Sequence, residues 1–102
     1  MPMQFRLERF RFPAEAGSVK ELSRTLEFDS PVTTALATVS GFEIGFLAAD
    51  HELGRMTVTA QVTLISGTRV TVAVRFGLRD NSGNFDDSYS GWVDVGIVAE
   101  RV

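Results

Sequence analysis

Alternation of apolar and polar residues in two neighbouring segments constrains the fold of this chain more than any other sequence feature. The first segment runs from Met56 to Leu64 and the second from Val70 to Leu78. In each, every second residue is apolar, and threonine, glutamine, arginine or a small residue fills the positions between. Because strand side chains point alternately to opposite faces, each segment is predicted to be a half-buried β-strand.

The connection between these strands is short and contains Ser66-Gly67. A two-residue turn there would pair position 64 with position 69 and set an apolar residue opposite a polar one. Pairing 64 with 70, 62 with 72 and 60 with 74 keeps the apolar faces together. The pattern therefore favours a hairpin with a longer loop, and leaves an arch between two sheets as the alternative.

Two more segments carry strong strand signals. Trp92–Glu100 alternates, with one face made of Val93, Val95, Ile97 and Ala99 and the opposite face carrying Trp92, Asp94 and Glu100. Val32–Phe46 is rich in β-branched and aromatic residues and is predicted to form either one bent strand or two. Gly41 and Gly45 lie within it, and a glycine inside a strand indicates a bulge or close packing.

The remaining strand candidates lie near the N-terminus. The apolar phase changes between Leu7 and Phe10, which predicts a register shift near Arg9 in an edge strand. Leu22–Phe28 alternates again and precedes a turn sequence. With about six strands and no helical pattern, residues 1–102 are predicted to form a single all-β domain, an antiparallel β-sandwich.

Charge and composition exclude several partners. The formal net charge is −3, and ten basic residues are scattered among thirteen acidic ones, so no basic patch for nucleic acid is predicted. The N-terminal segment contains charges where a signal peptide needs an apolar core, and no stretch is long enough to span a membrane. Cysteine is absent, which excludes disulfides and thiolate metal sites but assigns no compartment.

No cofactor, metal site or catalytic centre is predicted. The sole histidine, His51, lacks a second histidine at the spacing of a zinc-protease helix. The acidic loop 79–91 fails the EF-hand pattern because Phe85 and Gly91 occupy the positions of the turn glycine and the bidentate glutamate, although a calcium site of another type stays open. Asp86-Asp87 are adjacent and make a poor pair for glycoside cleavage, so an enzyme is not predicted.

Large aromatic residues stand among the polar groups of the same loop. Phe85, Tyr89 and Trp92 lie beside carboxylates and amides, which suits a sugar with apolar C–H faces and a rim of hydroxyls. The alternative is that these rings cap one end of the core. The sequence alone leaves both interpretations open.

The outward faces of the two clearest strands are almost uncharged. They present threonine, glutamine and alanine, with charge only from Arg69 and Arg75. A solvated sheet face normally carries more lysine and glutamate, so a second layer or another subunit is expected to cover it. Basic residues comprise nine arginines and one lysine, which also favours interfaces. We therefore expect a homo-oligomer.

Three segments in order, LEFDSPVTTALATVSGF, GRMTVTAQVTLISGTRVTVAVRF and LRDNSGNFDDSYSGWVDVGIVAE, resemble the H-type lectin domain over about three-quarters of the chain. The resemblance implies a homotrimer of six-stranded sandwiches that binds galactose or N-acetylgalactosamine at subunit boundaries. By motif order Arg55 is the counterpart of the family's sugar-contacting arginine, and Asp80 falls in its binding loop. Leu78-Arg79 stand where the family has a tryptophan.

These observations lead to two functional hypotheses. The first is a small oligomeric carbohydrate-binding, lectin-like module whose ligand-binding residues are Arg55, Asp80, Asp86, Tyr89 and Trp92. The alternative is a non-catalytic β-sandwich subunit with a structural or protein-association role.

Overall fold

The computed structural model describes residues 3–15, 19–46, 53–80 and 89–102, and gives only the backbone at 14, 15, 53–55, 79 and 80. Six strands account for nearly all of these residues: β1 Met3–Glu15, β2 Lys20–Glu27, β3 Val32–Phe46, β4 Leu53–Ser66, β5 Arg69–Asp80 and β6 Tyr89–Arg101. All pairings are antiparallel, and no helix occurs within the described residues. The predicted all-β class and the number of strands are confirmed.

The strands form two three-stranded sheets. Sheet I has the order β1-β6-β3, and sheet II has the order β2-β5-β4. The central strands β5 and β6 each hydrogen-bond to a neighbour on both sides, and each buries one alternating set of side chains in the core. The two sheets face each other as the layers of a β-sandwich.

The core consists of the inward-facing side chains of both sheets. Its fully buried members are Phe10, Val70, Val72, Val74, Phe76, Tyr89, Val93, Val95, Ile97 and Ala99. The Phe76 ring stacks on Phe12 with centroids 4.3 Å apart, and it lies 5.8 Å from the Tyr89 ring in a tilted arrangement. This aromatic group fills the core near the end of the sandwich where β5 ends and β6 begins.

The β4–β5 hairpin differs from its predicted form. Ser66 pairs with Arg69 across a two-residue turn at Gly67-Thr68, with Gly67 at a positive φ of 59°. A bulge between Val62 and Leu64 then restores the apolar pairing of 62 with 72 and 60 with 74. The prediction of a longer loop was wrong because the extra residue is accommodated within the strand instead of in the turn.

The bend in β3 is confirmed as a bulge between Val39 and Gly41 in one continuous strand. In β1, by contrast, the predicted register shift near Arg9 is absent. Pairing with β6 continues without interruption from Met3 to Phe12, and the irregularity follows Phe12. The apolar residues before Arg9 are therefore on the outer face of sheet I, and those after it are in the core.

Basic side chains cover the core along the side of the sandwich between the edge strands β1 and β2. Three inward-facing basic side chains each lie over an aromatic ring: Arg6 over Phe28 at 5.6 Å, Arg24 over Phe10 at 4.4 Å and Lys20 over Tyr89 at 4.1 Å. Glu8 lies between the two arginines and contacts Arg6 at 3.3 Å and Arg24 at 3.2 Å. Their aliphatic stems cover the core while their charged ends reach solvent.

Candidate functional site

Two of the predicted ligand-binding residues lie at one end of sheet II. Arg55 pairs with Arg79 near the start of β4, and Asp80 pairs with Leu53 at the end of β5. The two backbones are thus close neighbours, as the sequence hypothesis requires. The side chains of Arg55 and Asp80 lie outside the described part of the structure. So do His51 and the whole of loop 81–88, which includes Asp86.

Tyr89 belongs to the core. Its side chain is fully buried on the inner face of sheet I, against Phe76 and beneath the Lys20 ammonium group. Trp92 lies three residues further along β6 and therefore faces the opposite way, on the outer face of sheet I. The predicted convergence of Tyr89 and Trp92 is corrected by this alternation, and Tyr89 has no exposed ring surface for a ligand.

Trp92 instead lies beside Arg9, which in turn contacts Asp94. The Arg9 guanidinium lies 3.9 Å from the centroid of the Trp92 ring. It also donates two hydrogen bonds to the Asp94 carboxylate, from Nε to Oδ1 at 2.7 Å and from Nη2 to Oδ2 at 2.9 Å. A guanidinium that stacks on an indole and forks onto a carboxylate is held in one orientation.

Strand pairing brings these three side chains together. Arg9 on β1 is directly opposite Asp94 on β6, and Trp92 is in the next outward row of the same sheet, between Arg11 and Glu43. The alternation of Trp92–Glu100 already placed Trp92 and Asp94 on one face. The contribution of Arg9 was missed, because it depends on which strand lies beside β6.

Arg9 and Asp94 shift each other's pKa. Hydrogen bonding from Arg9 holds the pKa of Asp94 below its ordinary value of 3.8, and the charges of Arg9 and Arg11 act in the same direction. The pKa of Arg9 is raised, mainly by its hydrogen bonds to Asp94. At neutral pH the pair is therefore fully ionised.

A carboxyl group whose pKa is lowered in the folded state stabilises the fold above its unfolded pKa, and this contribution disappears as pH falls through the folded value. Asp94→Asn should therefore reduce stability at pH 7. The difference from the parent should shrink as pH falls below 3.8. Urea denaturation of both proteins between neutral and strongly acidic pH measures this. A difference that stays constant over the whole range would contradict the assignment.

The Trp92 cluster, defined as Trp92, Arg9 and Asp94, is partly exposed to solvent, with Trp92 itself half-buried. The Arg9 side chain is 40% exposed and Asp94 is 20% exposed. No pocket and no metal-binding group of acidic, histidine or cysteine residues is found among the residues that the structure describes. Over the same residues, no helix is long and apolar enough to cross a membrane. The cluster is thus a surface site with an aromatic ring, a guanidinium and a carboxylate.

Searches of protein-family models, of curated proteins and of solved structures found no match to this chain.

Proposed function

We propose that the protein is a small oligomeric carbohydrate-binding module of H-type lectin-like character that takes galactose-type sugars. The observation that carries this proposal is the Trp92 cluster, which joins an aromatic ring to a carboxylate and a guanidinium on one open surface. The six-stranded, two-sheet architecture also agrees with the resemblance in the sequence. No catalytic step is proposed.

The chemistry of the cluster suits a sugar ring. The Trp92 indole offers apolar surface to the C–H face of a galactose-type ring, while Arg9 keeps the indole in place from one side. The Arg9–Asp94 fork engages one lone pair on each carboxylate oxygen. The other lone pairs accept hydrogens from sugar hydroxyls, and the Nη1 group of Arg9 donates to sugar oxygens.

Arg55 and Asp80 supply a second set of polar groups for the same function. They lie on sheet II, whereas the Trp92 cluster lies on the outer face of sheet I. Loop 81–88 joins the two locations, since it connects the strand that ends at Asp80 with the strand that begins at Tyr89. The proposed binding region is therefore the end of the sandwich where β5 ends and β6 begins, and subunit boundaries there would bring groups of different sheets together.

A glycan array with the purified protein tests the proposal. A monosaccharide buries little surface, so each site should bind at about millimolar to high micromolar concentration, and several sites in an oligomer should supply the useful avidity. Trp92→Ala and Asp80→Asn should each abolish retention on the array and leave the far-ultraviolet circular dichroism spectrum unchanged. Phe42→Ala is the control, because Phe42 is an aromatic side chain on edge strand β3 that is 41% exposed and lies on the opposite face of sheet I from Trp92. A parent protein that binds no glycan, or Trp92→Ala and Asp80→Asn variants that both bind like the parent, would refute the proposal.

A role in protein association is the second candidate. One observation favours it, namely that β1 and β3 expose four large apolar side chains on the outer face of sheet I: Met3, Phe5, Leu7 and Leu36. A protein that binds no glycan but assembles through this face would have the association role alone.

A further inference from the structure

The first half of β1 has an inverted pattern for an edge strand. Met3, Phe5 and Leu7 point outward and are 58%, 64% and 58% exposed, whereas Gln4, Arg6 and Glu8 point toward the other sheet. Edge strands of sandwiches normally bury their apolar side chains and turn the polar ones to solvent. The first half of β1 therefore exposes its apolar side chains on the outer face of sheet I and directs its polar side chains toward the core.

Two features fix the strand in this register. Phe10 and Phe12 occupy the core further along β1, and a slip by one residue would turn both of them to solvent. The Arg6 guanidinium also donates a 2.7 Å hydrogen bond to the Glu27 carbonyl oxygen on the opposite edge strand. The outward direction of Met3, Phe5 and Leu7 is therefore specified by contacts elsewhere in the strand.

The inverted pattern has a cost in the monomer. Gln4 points inward, and its Oε1 atom is buried without a hydrogen-bond partner among the described residues. An unsatisfied buried acceptor destabilises a fold, and exposed large apolar groups gain nothing from folding alone. Burial of the outward side chains in an assembly would offset the second term, whereas the inward-facing Gln4 would stay unsatisfied.

Residues of the neighbouring strands extend this surface. In register, Phe5 is level with Val98 and Leu36, and Leu7 is level with Gly96 and Thr38. The Phe5 ring lies against Gly96, where a Cβ atom would be only 3.2 Å from Cε2 of the ring. We name the set Met3, Phe5, Leu7, Leu36, Gly96 and Val98 the apolar face. Because Phe5 packs over Gly96, the apolar face is a continuous layer across all three strands.

The size of the apolar face matches one side of a protein interface. Its four large side chains leave roughly 400 Å² of apolar surface exposed, which is within the range of functional patches on monomers. A standard interface buries about 800 Å² on each partner, and roughly 57% of that area is non-polar. The four large side chains of the apolar face supply most of this non-polar share for one partner.

We infer that the apolar face is the surface through which copies of this chain associate with one another. The inference rests on the oligomeric part of the proposed function and names the surface responsible. Interfaces between identical subunits have an apolar centre depleted of charge, with a polar rim. The named members of the apolar face are uncharged, and in the adjacent row Arg9 and Asp94 neutralise each other. At the other border Glu100 lies beside Met3, so the rim carries one negative charge there.

The outer face of sheet II is less suited to this role. Its outward side chains are mainly threonine, serine and glutamine, and Thr25 and Thr71 already bond to each other at 2.9 Å. Leu64 is its one large apolar side chain with more than half of its surface exposed among the described residues. The sequence hypothesis placed the subunit contact on this face, which also carries Glu21, Glu27, Arg69 and Arg75. The apolar face of sheet I is the alternative that the exposed side chains favour.

Light scattering on purified protein at micromolar concentration tests the inference. The parent should have the mass of an oligomer. Leu7→Glu and Leu36→Glu should each weaken self-association by about 100-fold, since they set an unpaired charge in the interface centre. Leu64→Glu is the matched control, because Leu64 and Leu7 are both 58% exposed and lie on different sheets. The control should keep the parent mass.

Thiol labelling supplies a readout that does not depend on disrupting the assembly. The parent contains no cysteine, so Leu36→Cys and Leu64→Cys each introduce a single thiol. A maleimide reagent should label position 64 rapidly and position 36 slowly in the native protein, and both at equal rates in urea. A monomeric parent, or protection of 64 but not 36, would overturn the inference. Glycan retention is measured separately, so loss of sugar binding with an intact oligomer would refute only the carbohydrate proposal.

Discussion

Phe76→Ala is expected to lower the free energy of unfolding by about 3–5 kcal/mol, the largest loss from any single truncation in this core. The Phe76 side chain is fully buried, stacks on Phe12 at 4.3 Å and contacts the Tyr89 ring. Alanine would remove both ring contacts and leave a cavity between the two sheets. Domains of this size have a total stability of about 5–15 kcal/mol, so a large part of it would be lost.

Chemical denaturation of parent and variant at equal protein concentration measures this loss, because the proposed assembly would make apparent stability depend on concentration. Phe42→Ala is the control. It deletes the same ring from a residue that is 41% exposed on β3, and should cost less than half as much. Equal losses in the two variants would contradict the full burial of Phe76 in the core.

The strands of the sandwich could be predicted from the sequence because their signal is local. Alternation in Val70–Leu78 and Trp92–Glu100 predicted two strands, and both bury the predicted phase at the centre of a sheet. A strand with hydrogen-bonded neighbours on both sides and one face in the core has little freedom to depart from this pattern. The class of the fold follows from the same local rule.

The phase change in β1 shows where local reasoning fails. A switch from Phe5 and Leu7 to Phe10 and Phe12 was interpreted as a register shift, on the assumption that every apolar residue faces the core. The strand is regular, and the residues before the switch face outward. The sequence contained the correct observation, but a single chain cannot reveal that two different surfaces, a core and an exposed face, each require apolar residues.

The candidate site was only partly predictable for a similar reason. Asp94 and Trp92 share a face through their spacing within one strand, so the sequence already places them together. Arg9 joins them through pairing between β1 and β6, with 85 residues separating it from Asp94 in the chain. Tyr89 was assigned to the site because it stands among polar loop residues, yet it is the first residue of β6 and faces inward.

Gly91→Ala is expected to be the most damaging change that adds a single methyl group. Gly91 pairs with Phe12 on one side and with Ile44 on the other, in the middle of sheet I. A Cβ at this position would overlap the Glu43 carbonyl oxygen and lie 2.9 Å from the tip of the Phe76 ring. Since one obstructing atom belongs to the backbone of β3, relief requires that strand to move, and we expect a loss of about 3 kcal/mol.

Gly45→Ala on the same β3–β6 ladder is the matched control for this substitution. Gly45 pairs with Ser90, and no described atom lies within 4 Å of its expected Cβ position. Alanine there should be neutral or should stabilise the fold by up to about 1 kcal/mol, because it restricts the unfolded chain. Denaturation midpoints of the two variants decide the matter, and a Gly91→Ala protein as stable as Gly45→Ala would contradict the close approach of β3 to β6. The two obstructions can be separated by introducing Gly91→Ala into the Phe76→Ala variant. In that background the clash with the Phe76 ring is absent, and the clash with the Glu43 carbonyl remains. The stability that Gly91→Ala still costs there therefore measures the backbone clash alone.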